Sequence, residues 1–148
     1  MPELHTDAQI AEALRNARVI AVLGAHHEPS RPAFYVPEYL HGQGYRILPV
    51  NAPLASPPGR SLWGQPVRAS LAELGEPVDI VDVFRRPDLL PGHLAEIRAM
   101  APRPRLVWLQ LGIRNDAFAR AVEAAGIDVV QDRCTLADHR GLGLPPRQ

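Results

Sequence analysis

Val19-Ile20-Ala21-Val22-Leu23-Gly24-Ala25-His26-His27-Glu28-Pro29-Ser30-Arg31-Pro32 is the stretch on which the fold turns. Its apolar residues run unbroken into a glycine, then into a polar loop, then into an Arg-Pro pair. An unbroken Val/Ile/Leu run reads as a strand buried on both faces, as at the centre of a parallel sheet covered by helices. Gly24 falls where that strand ends, so the backbone can turn sharply and a ligand can come close with no side chain in between. Arg31-Pro32 suits a helix entry, because the N–H that proline lacks is not needed in the first turn. Strand, glycine turn and helix start together make an anion site of amide N–H groups and helix dipole. That combination predicts a ligand carrying phosphates.

Working outward, Thr6 or Asp7 caps a short amphipathic helix bearing Ile10, Ala13, Leu14 and Ala17. After Pro32, Phe34, Val36, Tyr39 and Leu40 keep helical spacing until Gly42 or Gly44. Pro37 conflicts with a helix that starts at Pro32, since an interior proline loses a hydrogen bond and clashes with the turn before it, costing about 3 kcal/mol. A start near Val36 avoids the conflict, and both starts stay open. Tyr45 to Asn51 is a second strand, its Pro49 suited to a position whose N–H the ladder does not need. Ala52 to Gly64 is a proline-rich loop, and Ser70 with Glu73 has capping-box spacing over one helical turn.

Val78 to Phe84 is the third strand, closed by Arg85-Arg86, and Pro87 opens a helix carrying Leu89, Leu90, Leu94, Ile97 and Met100. Leu106 to Gln110 is the fourth strand. Asn115-Asp116 caps a helix carrying Phe118 and Val122, Gly126 stops it, and Ile127 to Gln131 is the last strand. From Gly141 the chain is rich in Gly and Pro and reads as a loose tail. Strands alternating with helices make a single doubly wound α/β domain, a mostly parallel five-stranded sheet between two helical layers.

Composition narrows the function. Sixteen basic residues balance sixteen acidic ones, so the zero net charge gives no general attraction to nucleic acid or an anionic membrane. Every basic residue is Arg, which excludes Schiff-base lysine chemistry and a Walker-type phosphate loop. The one cysteine, Cys134, rules out an internal disulfide and a cysteine-rich metal site and fits a reducing cytoplasm. No apolar run approaches the ~20 residues of a membrane span, and the first residues lack a signal-peptide pattern. The neighbouring His26 and His27 have no partner at ligand spacing, and their side chains, adjacent in sequence, are expected to point apart rather than hold a metal.

Doubly wound sheets bind ligands outside the carboxyl ends of the strands. The residues so placed are Gly24-Ala25-His26, Asn51-Ala52, Phe84-Arg85-Arg86, Gln110-Leu111-Gly112 and Asp132-Arg133-Cys134. They favour phosphates and contain no general base. With Pro29-x-Arg31-Pro32, Pro49-Val50-Asn51, Pro77 to Arg86, Val107 to Gly112 and Asp132-Arg133-Cys134 in this order, the chain from Val19 to His139 resembles the small CoA-binding proteins. These are built on a Rossmann-like sheet and related to the CoA-binding domain of the succinyl-CoA synthetase alpha subunit. The resemblance implies a non-catalytic protein for CoA or acyl-CoA, with no protein partner specified. The ligand contacts it implies are Gly24, Ala25, His26, Arg31, Pro32, Val50, Asn51, Phe84, Arg85, Gln110 and Gly112. Phosphates are expected against the Gly24 to Pro32 loop, adenosine near Asn51 and Phe84-Arg85, and the pantetheine arm towards Gln110 to Gly112.

The chain departs from that family in two places. His26 and Ala33 stand where the family commonly has small hydroxyl residues, and Thr135-Leu136-Ala137-Asp138-His139 lacks a lysine often found after Asp-Arg-Cys. An NAD(P)-dependent oxidoreductase on the same kind of sheet is the alternative. Its G-x-G-x-x-G fingerprint would need glycines where His26 and Pro29 stand, and its ribose-binding acid is replaced by Asn51. An acyl-CoA ligase would need a second domain, for which 148 residues leave no room.

Overall fold

The computed structural model describes residues 3–147. Its strands are β1 (Val19–Leu23), β2 (Arg46–Val50), β3 (Ser61–Leu62), β4 (Gln65–Pro66), β5 (Ile80–Val83), β6 (Leu106–Leu109) and β7 (Asp128–Val130). The helices are α1 (Asp7–Asn16), α2 (Pro32–Gly42), α3 (Leu94–Ala99), α4 (Asp116–Ala124) and α5 (Thr135–Gly141). One five-stranded sheet runs β2-β1-β5-β6-β7 with every pairing parallel. Apart from Asp82 of β5, its central residues are apolar on both sides because both faces are covered. Ala21, Leu23, Val81, Val83, Val107 and Leu109 pack with Ile97 of α3 and Phe118 and Val122 of α4. Ile20, Val22, Ile80 and Trp108 pack on the other face with Ile10 and Leu14 of α1 and Val36 and Leu40 of α2.

Strand order reverses between β1 and β5, so the chains leaving these two strands diverge and open a crevice at their carboxyl ends. Pro49 sits on the edge strand. Its carbonyl accepts from the Arg68 N–H at 3.1 Å, so its proline nitrogen faces away from β1 and no ladder bond is lost.

The structure decides two open alternatives and corrects other expectations. α2 starts at Pro32 with Pro37 inside it. Thr6, not Asp7, is the N-cap of α1, and it forms a reciprocal capping box with Gln9. The Ser70–Glu73 box does not form: Glu73 accepts from the Ala69 N–H instead, and only a 3₁₀ turn follows. The proline-rich loop contains the β3–β4 hairpin. The segment opened by Pro87 is 3₁₀ up to His93, since Pro91 interrupts it, and becomes α-helical only at Leu94. α5 was not anticipated, and the tail after it is pinned: Leu142 and Leu144 pack on the core, and the Arg147 N–H bonds the Gln43 carbonyl.

Candidate functional site

A cavity of about 520 Å³ opens at the carboxyl ends of β1, β5 and β6. Of the eleven residues expected at the site, Gly24, His26, Arg31, Pro32, Phe84, Arg85, Gln110 and Gly112 line it. Ala25, Val50 and Asn51 do not, and the hydrogen bonds show why. Asn51 donates from Nδ2 to the Ala25 carbonyl at 2.7 Å and accepts the Leu54 N–H on Oδ1 at 3.0 Å. The Val50 carbonyl receives the N–H groups of both Gly24, at 2.8 Å, and Ala25, at 3.2 Å. These three residues hold the turn after β1 in shape from behind.

The turn itself differs from the open amide cradle that the sequence suggests. With the Gly24 and Ala25 amides directed at Val50, the His26 N–H goes to the Ala33 carbonyl at 3.2 Å. Pro37 explains that last bond. In a regular helix the N–H of residue 37 would occupy the Ala33 carbonyl; proline has none, so the carbonyl is left for the loop. The helix loses one internal bond and the loop gains an anchor of comparable strength, about 1 kcal/mol. Among the described residues, the N–H groups of His27, Ser30 and Ala33 are the ones in this segment with no protein acceptor. Gly24 has φ +93°, and a Cβ built on it would lie 2.7 Å from the Phe84 carbonyl oxygen. Its missing side chain makes room for the neighbouring strand end, not for a ligand.

The imidazoles of His26 and His27 do not point apart: they stack with centroids 4.9 Å apart. His26 accepts the Glu28 N–H on Nδ1 at 3.1 Å, which leaves Nε2 as the donor nitrogen of a neutral ring. No group of three or more His, Cys, Asp or Glu among the described residues is arranged to hold a metal ion.

The charged residues on the cavity wall are Arg31, Arg85 and Arg86, with no carboxylate among the lining groups. Arg31 meets Glu28 at 3.3 Å and Arg86 meets Asp88 at 3.5 Å, both as exposed pairs outside the wall. Arg85 carries a buried Nε with no hydrogen-bond partner. Arg133 is not part of this set. Its guanidinium grips both oxygens of Asp138 at 2.8 Å, directed onto α5. The contrast with a smaller cavity at the opposite edge of the sheet is one of sign: Glu12, Asp79 and Asp128 line that one against a single Arg105.

Beneath the wall lies a buried polar chain. Gln110 turns its side chain inward and donates from Nε2 to Thr135 Oγ1 at 3.1 Å, and that hydroxyl donates to Asp82 Oδ2 at 3.2 Å. Asp82 is wholly buried, and its Oδ1 has no partner. Burial pushes its carboxyl up to about 8, the Thr135 hydrogen bond opposing this only in part. Trp108 donates from Nε1 to the Arg133 carbonyl at 2.7 Å, which fixes the backbone beside Cys134, itself a lining residue.

Sequence reasoning passed over Tyr35 and Ile113, which also line the cavity. Tyr35 follows from a helix that starts at Pro32, because three positions on it falls on the first turn. Ile113 had no such signal; a short loop held by Asp132, which accepts the Gly112 N–H at 2.6 Å, carries it to the wall.

Known proteins match the chain along most of its length. An uncharacterized protein of Bacillus subtilis (strain 168), YneT, is 34% identical over 133 residues, 89% of this chain and 93% of that one. The cell-free ID.343 protein of Thermus thermophilus superposes with a TM-score of 0.86 at 52% identity, over 93% of this chain and 99% of that one. A hypothetical protein from Pyrococcus horikoshii OT3 gives a TM-score of 0.83 at 28% identity, covering 93% and 92% of the two chains. The family model for a CoA binding domain matches residues 18–140.

Proposed function

From the chain's membership of the CoA-binding domain family, we propose that it is a cytoplasmic CoA-binding module that acts by holding the nucleotide rather than by catalysis. One observation carries the reading: in a chain of zero net charge, the charged side chains lining the crevice at the strand-order reversal are all arginine. The electrostatic focus on that wall suits a polyanion. Charge-assisted hydrogen bonds from guanidinium to phosphate are the strong kind, and Arg85 on this wall is paired with no carboxylate among the described residues. The positive end of α2, with the free Ala33 N–H, adds to the same region. The fit to CoA is therefore one of guanidinium and helix terminus around the pyrophosphate, with adenosine on the Phe84-Arg85 side and pantetheine towards Gln110 and Gly112.

A thermal-shift panel of CoA, acetyl-CoA, NAD, NADP and ATP tests this. CoA at about a hundred times its Kd should stabilise the protein by about 2.7 kcal/mol, and NAD should not. Replacing Arg85 by Gln should weaken CoA binding by about 1.5–3 kcal/mol in calorimetric titration, the worth of a charge-assisted bond. Stabilisation by NAD without CoA would overturn the reading.

A further inference from the structure

The cavity is polar at one end and apolar at the other, and the sheet order fixes which is which. Arg31, Arg85 and Arg86 belong to the segments leaving β1 and β5. The segments leaving β6 and β7 contribute Gln110, Leu111, Gly112, Ile113 and Cys134, none of them charged. The polar groups at that end are largely used up inside the protein. Gln110 gives its Nε2 hydrogen to Thr135, the Gly112 N–H goes to Asp132, and the Ile113 N–H goes to the Gln110 carbonyl at 2.9 Å. The side chains of Leu111 and Ile113 supply hydrocarbon at that end, and Cys134 supplies sulfur.

The exposed apolar side chains fall in the same place. Leu111 is 71% exposed and Tyr35 46%, the large apolar residues that stand out most among those described, and both stand on this cavity. A single exposed leucine is ordinary; two exposed apolar side chains on the wall of one cavity have surface that a bound ligand could cover.

Resting on the CoA reading above, we propose that the β6–β7 end receives the acyl chain of an acyl-CoA, and that the protein is selective for short acyl thioesters over free CoA. A CoA whose pyrophosphate lies against the arginines extends along the carboxyl edge of the sheet. Its thiol end, and any acyl group on it, then lies over Leu111 and Ile113. Leu111 is the specificity-determining side chain, with Tyr35 covering the ligand from the α2 wall.

Calorimetric titration of the full chain with CoA, acetyl-CoA and hexanoyl-CoA tests the proposal. Affinity should rise along the series, hexanoyl-CoA binding about tenfold tighter than CoA, the gain expected when roughly two methylene groups leave water. In Leu111→Ser, an exposed position where folding is not at stake, that ratio should fall to about twofold or less. CoA and hexanoyl-CoA binding equally to the wild type, or a ratio unchanged in Leu111→Ser, would overturn the selectivity while leaving the CoA reading intact. Failure of every one of these ligands to bind would instead remove the CoA reading, and the selectivity with it.

Discussion

Alanine at position 24 is the sharpest probe of how the site is built. Two terms add. The first is conformational: Gly24 sits at φ +93°, and a side chain held in such a region costs about 1–3 kcal/mol. The second is steric: the new Cβ would lie 2.7 Å from the oxygen and 3.1 Å from the carbon of the Phe84 carbonyl. That neighbour is backbone, and it cannot swing aside. The Phe84 N–H is bonded to the Leu23 carbonyl at 2.9 Å, and the Gly24 N–H to that of Val50 at 2.8 Å. Relief therefore strains bonds worth about 1 kcal/mol each at the end of the central strand pair. The sum is about 3–5 kcal/mol, a large share of the ~5–15 kcal/mol that holds a domain together. Urea denaturation should show a much lower midpoint with an unchanged slope, and melting should fall by on the order of 10 °C. Gly112→Ala supplies the control. Its φ is +85°, but a Cβ there meets nothing within 4 Å, so only the conformational term applies. Equal losses in the two variants would refute the claim that Gly24 exists to let β1 and β5 close.

Two further outcomes follow. The raised Asp82 carboxyl stabilises the fold fully below the ordinary carboxylate range, and that contribution is lost as pH rises to about 8, because the folded state holds a proton that the unfolded chain has released. Asp82→Asn should remove this dependence, its advantage over the wild type growing by up to about 1.4 kcal/mol per pH unit between about pH 4 and 8 in denaturation curves; parallel curves for the two proteins would refute it. Cys134, the chain's one cysteine, lines the cavity, so saturating CoA should slow its alkylation more than about tenfold, and an unchanged rate would place the ligand elsewhere.

The doubly wound sheet was legible because its signals are redundant: apolar runs of strand length, amphipathic helices between them, and glycine or proline at the joints. Pro37 shows where such reading stops. Its local cost was visible, but the compensation, a loop N–H taking the carbonyl that proline frees, is a contact between segments that no window of sequence contains. α5 escaped notice because its Thr135–Gly141 span is too short for a clear period. The helix is held by buried Thr135, bonded to Asp82 of β5, and by buried His139, whose Nδ1 meets the Tyr39 hydroxyl of α2 at 2.8 Å. The strand-end rule named most of the residues that line the cavity at the carboxyl ends of the strands. It could not tell a side chain spent inside the protein from one that is not, because Asn51 and Arg85 look alike from sequence: each is a polar residue just beyond a strand. Only the partners distinguish them. Asn51 has its side chain spent on Ala25 and Leu54, whereas Arg85 has an unspent donor.

On the proposed CoA reading, that distinction decides which groups would dominate phosphate binding. A loop whose first three amides are committed to Val50 and Ala33 is stiff, and it offers a ligand little beyond the end of α2. A helix terminus contributes about 0.3–1 kcal/mol to a nearby anion, whereas each charge-assisted guanidinium bond contributes about 1.5–3 kcal/mol. The arginines therefore outweigh the dipole. Among them, Arg31 and Arg86 would first have to release Glu28 and Asp88, exposed pairs worth about 0–1 kcal/mol that a pyrophosphate carrying two charges can displace. Arg85 is paired with no carboxylate among the described residues and has no such partner to leave. On that reading the strongest single contact would fall to Arg85 at the end of β5, beside the strand-order reversal, where the glycine at the end of β1 lets the two strands close together.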